Sequence, residues 1–259
     1  MESGHMKLLV ALLLLTIGLG SIPATAGAPD ELKIFYFQRT IGDLHIEYAM
    51  LTDTPPPPPS EAAYALSGAR IPDGRGVFNY NPSGQPSWAD PTFIPAAVAM
   101  WNGITPNLAL TSSSTTTALA GLCSGGGHDG LSTIAWGPTN SSVLGMACWW
   151  SGSGECDILL GSNYPTTDMR TVLAHELGHC LGLGHPADHP EALMYWQYHG
   201  PMTTPAKDDI EGVCALYGCS VALPTPTPLP TPTPKPTGCL RYAGLPFCLV
   251  IPFVAVDAR

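Results

Sequence analysis

The sequence predicts an α+β domain, and three observations carry that reading. Short strand-like runs separated by Gly, Ser, Pro and Asn clusters occupy most of the chain before residue 161. Two of the three helical stretches follow them, each closed by a glycine. A run of five prolines, Pro55–Pro59, and an alternating Pro/Thr tract from Pro224 to Pro236 bracket a region of globular composition. Strands grouped early with helices placed around them form α+β folds, not alternating α/β ones.

The elements follow in order. Leu32–Phe37 is strand-like and lies in a short segment, 27–61, that ends at the proline run. Such a run is stiff and solvated and separates what flanks it, so a boundary is expected near Ser60. Val77–Tyr80 reads as a strand ending in the turn Asn81-Pro82-Ser83-Gly84. Pro95–Asn102 opens a helix, with Pro95 suited to a first turn. Leu108–Leu110, Leu131–Trp136, Val143–Trp150 and Cys156–Leu160 are the remaining strands. Thr167–Leu181 is the strongest helix, with Thr167 or Asp168 to cap it and Gly182 to end it. Asp208–Tyr217 is the last, stopped by Gly218. A linker over 223–238 and a tail over 239–259 follow. The tail contains Cys239, Cys248 and an apolar run too short to span a bilayer. It is either a surface-sorting tail or a small disulfide-closed strand pair.

Composition narrows the function classes. The net charge is −10, and only ten Lys and Arg are scattered over 259 residues. Nucleic-acid or anionic-membrane binding needs clustered cations, so neither partner is expected. Lys7 precedes an apolar run from Leu8 to Leu19, and Ala24-Thr25-Ala26 fits a small-residue cleavage site. This is the layout of a secretory signal peptide over 1–26, and a secreted protein, monomeric and without stable membrane insertion, is expected. Eight cysteines agree with an oxidising compartment, although eight permit 105 pairings.

The chemistry concentrates at His175-Glu176-Leu177-Gly178-His179. His175 and His179 are one turn apart and project from one helix face. That spacing lets two imidazoles reach one zinc at the ~2.0–2.1 Å that a Zn–N bond requires. Glu176 lies close to the metal without being needed as a ligand, placed to act as general base. Gly182 can turn the chain so that His185 returns to the same ion. Three neutral imidazoles leave a fourth position open, as in catalytic zinc sites. The full HExxHxxGxxH pattern arises by chance on the order of once in 10⁵ such chains.

That pattern resembles the metzincin signature, and within the metzincins it is similar to the matrixins, the matrix-metalloproteinase-like family. Ala192-Leu193-Met194-Tyr195 resembles the matrixin Met-turn, with Met194 beneath the zinc. Asp208-Asp209-Ile210-Glu211-Gly212 and Leu216-Tyr217-Gly218 resemble the family's last helix. Ile134-Ala135-Trp136 and Glu155–Leu160 resemble strands of its shorter bacterial members. The likeness covers about 62–222. It implies a metzincin catalytic domain with a twisted, mixed, five-stranded sheet, an active-site helix and a C-terminal helix. It also implies a secreted zinc endopeptidase that hydrolyses extended polypeptides, with Val143–Trp150 as the edge strand for substrate and Trp196–Pro205 as a pocket wall. Asp208 and Asp209 read as the N-cap and first-turn carboxylates of the last helix, and the resemblance implies that the pair also anchors the mature N-terminus.

The departures are informative. No cysteine precedes Cys123, so a cysteine switch is not expected from that segment. Only His128 could serve the family's structural zinc, so that site is not expected either. Trp196 stands where astacin-like relatives have a zinc-ligating tyrosine, and Cys180 replaces a usual serine. Acidity admits Ca²⁺ as a second cofactor, but no EF-hand-like ligand series places it. His128-Asp129 reads as a polar turn, and His189 and His199 as loop residues. The competing function is a non-catalytic, zinc-stabilised binding or adhesion module carried on the Pro/Thr stalk. A zinc hydrolase for small molecules fits an open edge strand poorly. Glu176 favours catalysis, because a purely structural site has no use for it.

Overall fold

The computed structural model describes residues 33–60, 64–113, 117–137, 139, 142–163, 165 and 167–219. The signal peptide, the Pro/Thr linker and the C-terminal tail expected from the sequence lie outside the described residues.

The centre of the fold is one seven-stranded mixed sheet. Its strands are β1 (Lys33–Ile41), β2 (Leu44–Thr52), β3 (Arg75–Asn81), β4 (Ala109–Ser113), β5 (Ser132–Gly137), β6 (Val143–Trp150) and β7 (Cys156–Gly161). Their order across the sheet is β1-β2-β6-β7-β5-β3-β4. The four strands β4, β3, β5 and β7 are mutually parallel, and β6 runs antiparallel to β7. These five are the sheet that the sequence predicts. The other two correct the count. They form a hairpin, turned at Gly42-Asp43, whose second strand pairs antiparallel with β6 from Leu44↔Trp150 to Met50↔Val143. The expectation that Val143–Trp150 is an edge strand is therefore overturned: β6 has a neighbour on each side.

Helix α1 (Phe93–Trp101) and helix α3 (Met169–Leu181) pack against each other on one face of the sheet, and α4 (Lys207–Tyr217) is the last helix among the described residues. A single-turn helix, α2 (Gly121–Ser124), lies on the opposite face with Leu44, Ala135, Val143, Met146 and Leu159. The main core lies between the sheet and α1 and α3. It contains Phe78, Ile134, Ile158 and Leu160 from the strands and Trp101, Leu173, Leu177 and Leu181 from the helices, all at most 1% exposed. Burying side chains of this size is worth about 1.5–3 kcal/mol each. Trp101 is also fixed in direction, because its indole N–H donates to the Ala174 carbonyl at 2.8 Å. The phenol of Tyr217 donates to the Leu181 carbonyl at 2.7 Å, which ties α4 to the end of α3.

Among the described residues, three disulfides join Cys123 to Cys148, Cys156 to Cys180 and Cys214 to Cys219. The second links β7 directly to α3, so the cysteine that replaces the usual serine anchors the motif helix to the sheet. Among the described residues no helix is long and apolar enough to cross a membrane.

Candidate metal centre

Local sequence places the motif helix with little freedom. Asp168 is the N-cap of α3, and its carboxylate accepts from the Arg170 amide at 3.3 Å and the Thr171 hydroxyl at 2.7 Å. That satisfies one of the amides that a helix start leaves without partners. At the other end Gly182 takes φ 108°, a left-handed conformation that a side chain resists. A Cβ there would also run into the Ala69 carbonyl. The chain then turns back, and the Gly184 amide is held by the Ala65 carbonyl at 2.7 Å. The turn delivers His185 to the face where His175 and His179 already point.

The three imidazoles meet, with one nitrogen from each within 4.8 Å of the others. The outer nitrogens of two are held by backbone carbonyls. His175 Nδ1 lies 2.7 Å from the Leu193 oxygen, and His179 Nδ1 lies 2.9 Å from the Leu183 oxygen. A carbonyl can only accept, so both Nδ1 atoms carry the proton and both Nε2 atoms present a lone pair. His175 Nε2 approaches His185 Nε2 at 3.0 Å, and His179 Nε2 has no hydrogen-bond partner. Two of these nitrogens are fixed as lone-pair donors, and the third converges on them in a buried site, an arrangement that fits a divalent ion. Burial is the main reason that all three stay neutral. It pushes His179 down to about 3 and drives His175 and His185 well below the usual imidazole range, with neighbouring imidazoles adding to the shift for both.

Glu176 lies beside the cluster at 0% exposure, and neither carboxylate oxygen has a hydrogen-bond partner. Burial raises its pKa well above the carboxylate range. The Ala147 and Ala49 amides pull it down by less, without reaching hydrogen-bonding geometry. Met194 packs under α3, where a Cβ at Gly178 would collide with its sulfur and with the Trp101 ring. The Met194 and Leu193 amides both donate to Asp209, at 2.9 and 2.8 Å, and the Ala206 amide does so at 2.7 Å. Asp209 thus clasps the Met194 turn to α4, and through the Leu193 carbonyl it supports His175. Its neighbour Asp208, also in the first turn of α4, is 3% exposed and lies within 3.6 Å of His189.

The other candidate residues fall away from the centre. His128, Asp129 and Gly130 form a polar turn around the Glu155 carboxylate, which pairs with His128 at 2.9 Å. His189 sits in a loop among Asp188, Glu191 and Asp208. Trp149, by contrast, is buried in the main core at 2% exposure and stacks on His179 with ring centroids 6.2 Å apart, while Trp150 packs partly buried on the opposite face.

Two residues at the site were absent from the sequence reading. Tyr36 of β1 is stacked on His175, and Glu47 of β2 is 3% exposed with one oxygen unpartnered. Burial and the nearby Glu176 raise the Glu47 pKa well above its usual range. A signal for the second strand did exist. Leu44, Ile46, Tyr48 and Met50 alternate after Gly42-Asp43, a recognised hairpin-turn dipeptide.

A mixed sheet, a motif helix beneath it and a converging histidine triad define a metzincin-type metallopeptidase fold. Residues 132–218 match the matrixin family model. Similar proteins include human matrix metalloproteinase-20, 50% identical over 54 residues, which is 20% of this chain and 11% of that protein. Metalloendoproteinase 2-MMP of Arabidopsis thaliana is 40% identical over 76 residues, covering 27% and 18%. Metalloendoproteinase 1 of Glycine max is 38% identical over 77 residues, covering 27% and 23%. Residues 132–218 are therefore matrixin-like. The match spans between about a tenth and a quarter of the length of these relatives.

Proposed function

We propose that the protein is a secreted zinc-dependent endopeptidase acting on extended polypeptides. The observation that carries this reading is the buried Glu176 carboxylate, without partners, beside three imidazoles of which two are fixed as lone-pair donors. A structural zinc site would have no use for that carboxylate. His175, His179 and His185 would hold the ion, and Met194 would pack beneath it.

When bound, Zn²⁺ supplies Lewis acidity and lowers the pKa of its water to about 7. The chain's own groups do the rest. Glu176 takes a proton from the attacking water and delivers it to the leaving amine. The Leu193 and Leu183 carbonyls hold the two ligand rings in one tautomer through both steps. The Asp209 clasp keeps the Leu193 carbonyl in place. No side-chain nucleophile is needed.

The catalytic unit in this reading is residues 62–222, preceded by a signal peptide over 1–26 and a short pro-segment. Three disulfides among the described residues are consistent with secretion. The test is casein or gelatin cleavage by the zinc-loaded full chain, by the same sample with a chelator, and by Glu176→Ala. Cleavage lost in both controls supports the reading. Cleavage that survives Glu176→Ala sinks it.

A further inference from the structure

We infer, independently of the peptidase reading, that Asp188, His189 and Asp208 form a second divalent-cation site, with Glu191 orienting the imidazole from behind. Its donors are one imidazole nitrogen and carboxylate oxygens, a mixed set that suits Mn²⁺ or Zn²⁺ better than Mg²⁺ or Ca²⁺. None of these residues belongs to the histidine triad.

His189 lies in the loop between His185 and the Met194 turn, and Asp208 lies in the first turn of α4. Glu191 accepts from His189 Nδ1 at 3.1 Å. An ionised carboxylate only accepts, so that nitrogen carries a proton. Nε2 then faces Asp208 Oδ1 at 3.6 Å and Asp188 Oδ1 at 3.7 Å. Both separations exceed a normal hydrogen bond. They are close to the spacing of about 3.0–3.5 Å between two donors of one ion at bond lengths of ~2.0–2.2 Å. A carboxylate on one ring nitrogen with a metal on the other is a recurrent arrangement of ligating histidines.

Asp208 adds an independent reason for a cation. Its side chain is 3% exposed, and Oδ2 has no hydrogen-bond partner. A buried charged oxygen is costly unless an opposite charge sits against it. Burial raises the Asp208 pKa, and Glu211 and Glu191 add to the shift, while His189 and the Tyr64 amide oppose it.

Charge separates a metal ion from a proton. Asp188, Glu191 and Asp208 bring three negative charges to one ring. An imidazolium leaves two of them uncompensated, and a divalent ion on the neutral ring leaves one. An Nε2–H would also be drawn to hydrogen-bond distance of one carboxylate, as Nδ1–H is with Glu191, and neither carboxylate is that close. Lys207, in the same turn as Asp208, is engaged with Glu211 at 2.9 Å.

The Asp188 and Glu191 side chains are 59% exposed and His189 is 36% exposed. Water therefore completes the coordination, and the ion exchanges more readily than one in the buried triad. Bound there, it ties the loop that leaves His185 to the helix whose Asp209 clasps the Met194 turn.

The experiment adds Mn²⁺ to the zinc-loaded full chain, dialysed free of excess zinc, and reads free Mn²⁺ by its electron paramagnetic resonance signal. About one Mn²⁺ should bind per chain while the zinc is retained. Affinity should rise about ten-fold per pH unit over the range in which the ring must lose a proton to bind. His189→Gln and Asp208→Asn should each weaken Mn²⁺ at least about ten-fold with zinc content unchanged. His189→Gln alters a part-exposed loop residue, so it decides if Asp208→Asn fails to fold. Absence of stoichiometric Mn²⁺ binding overturns the inference and leaves His189 an ion-pair partner only. Binding that survives His189→Gln, or that releases the zinc, places Mn²⁺ elsewhere and overturns it too.

Discussion

The phenol ring of Tyr36 lies flat on the imidazole of His175, with ring centroids 3.4 Å apart and planes inclined by 8°. One residue comes from a segment expected to be a separate prelude to the domain, and the other from the centre of its motif helix. The contact joins the two ends of the functional argument. It rests on the helix that presents His175 and His179, and it belongs to the hairpin that covers them.

Removing the proposed base should separate binding from chemistry. Glu176→Gln keeps the volume and removes the proton acceptor. With the cleft open, kcat/KM should fall by about 10²–10⁴ while zinc content stays at one per chain. Metal analysis alongside kinetics checks both. Loss of zinc together with activity would make Glu176 a structural residue.

The Asp209 clasp should be read out at the metal. Asp209→Ala leaves the amides of Leu193, Met194 and Ala206 without their acceptor. Unpaired buried donors cost about 1–3 kcal/mol each. Because the Leu193 carbonyl orients His175, zinc affinity should also weaken by about 10–100-fold, as for other outer-sphere losses. Competition titration with a zinc indicator measures this, and unchanged affinity would confine Asp209 to stability.

Gly178→Ala sets two effects against each other. Alanine favours a helix over glycine by about 1 kcal/mol. The added methyl collides with the Met194 sulfur and the Trp101 ring, and overpacking costs about 1–3 kcal/mol. Packing should win, and the variant should unfold at lower denaturant. A stabilised variant would mean that Met194 repacks freely.

Replacing both Cys156 and Cys180 with alanine opens a loop with a sequence separation of 24. Loop-closure entropy sets the expected loss near 3.5 kcal/mol. Denaturant unfolding under non-reducing conditions measures it.

Stability should fall as pH rises from about 4 to 7 through two buried acids. Burial pushes Asp157 up to about 7 and Asp209 up to about 6, against donated backbone amides that pull both down. Each folded-state pKa lies above the ordinary value, so the folded chain holds protons that the unfolded chain has released. That contribution is full below the unfolded value and is lost as pH passes the folded one. The buried histidines act in the opposite sense, destabilising below their ordinary range. Comparison with Asp157→Asn at saturating zinc isolates one acid. The variant should lose a slope of at most about 1.4 kcal/mol per pH unit.

How much of this was legible in the sequence depends on range. The caps of α3 are local chemistry, and both Asp168 and Gly182 stand where the sequence places them. The triad was legible because helix pitch and one glycine turn decide where His175, His179 and His185 go. The Cys156–Cys180 bond was not, since pairing depends on β7 lying over α3. β2 was missed for a physical reason. Its polar residues His45 and Glu47 share the face that also carries Ala49, toward α3, which inverts the usual apolar-inward rule. That inversion is expected where a strand covers a polar site and not a hydrophobic core. The edge assignment of β6 failed for the same cause, because its neighbour comes from a segment about a hundred residues earlier.

The five prolines after the hairpin set a length. At ~3.1 Å per residue they form a strut of about 16 Å. A tether this short holds its cargo at an effective concentration on the order of millimolar, whatever the concentration of the protein. Dilution of the protein therefore does nothing to lift the hairpin. Severing the strut turns a unimolecular equilibrium into a bimolecular one, and the same hairpin, with every contact unchanged, then leaves by mass action alone.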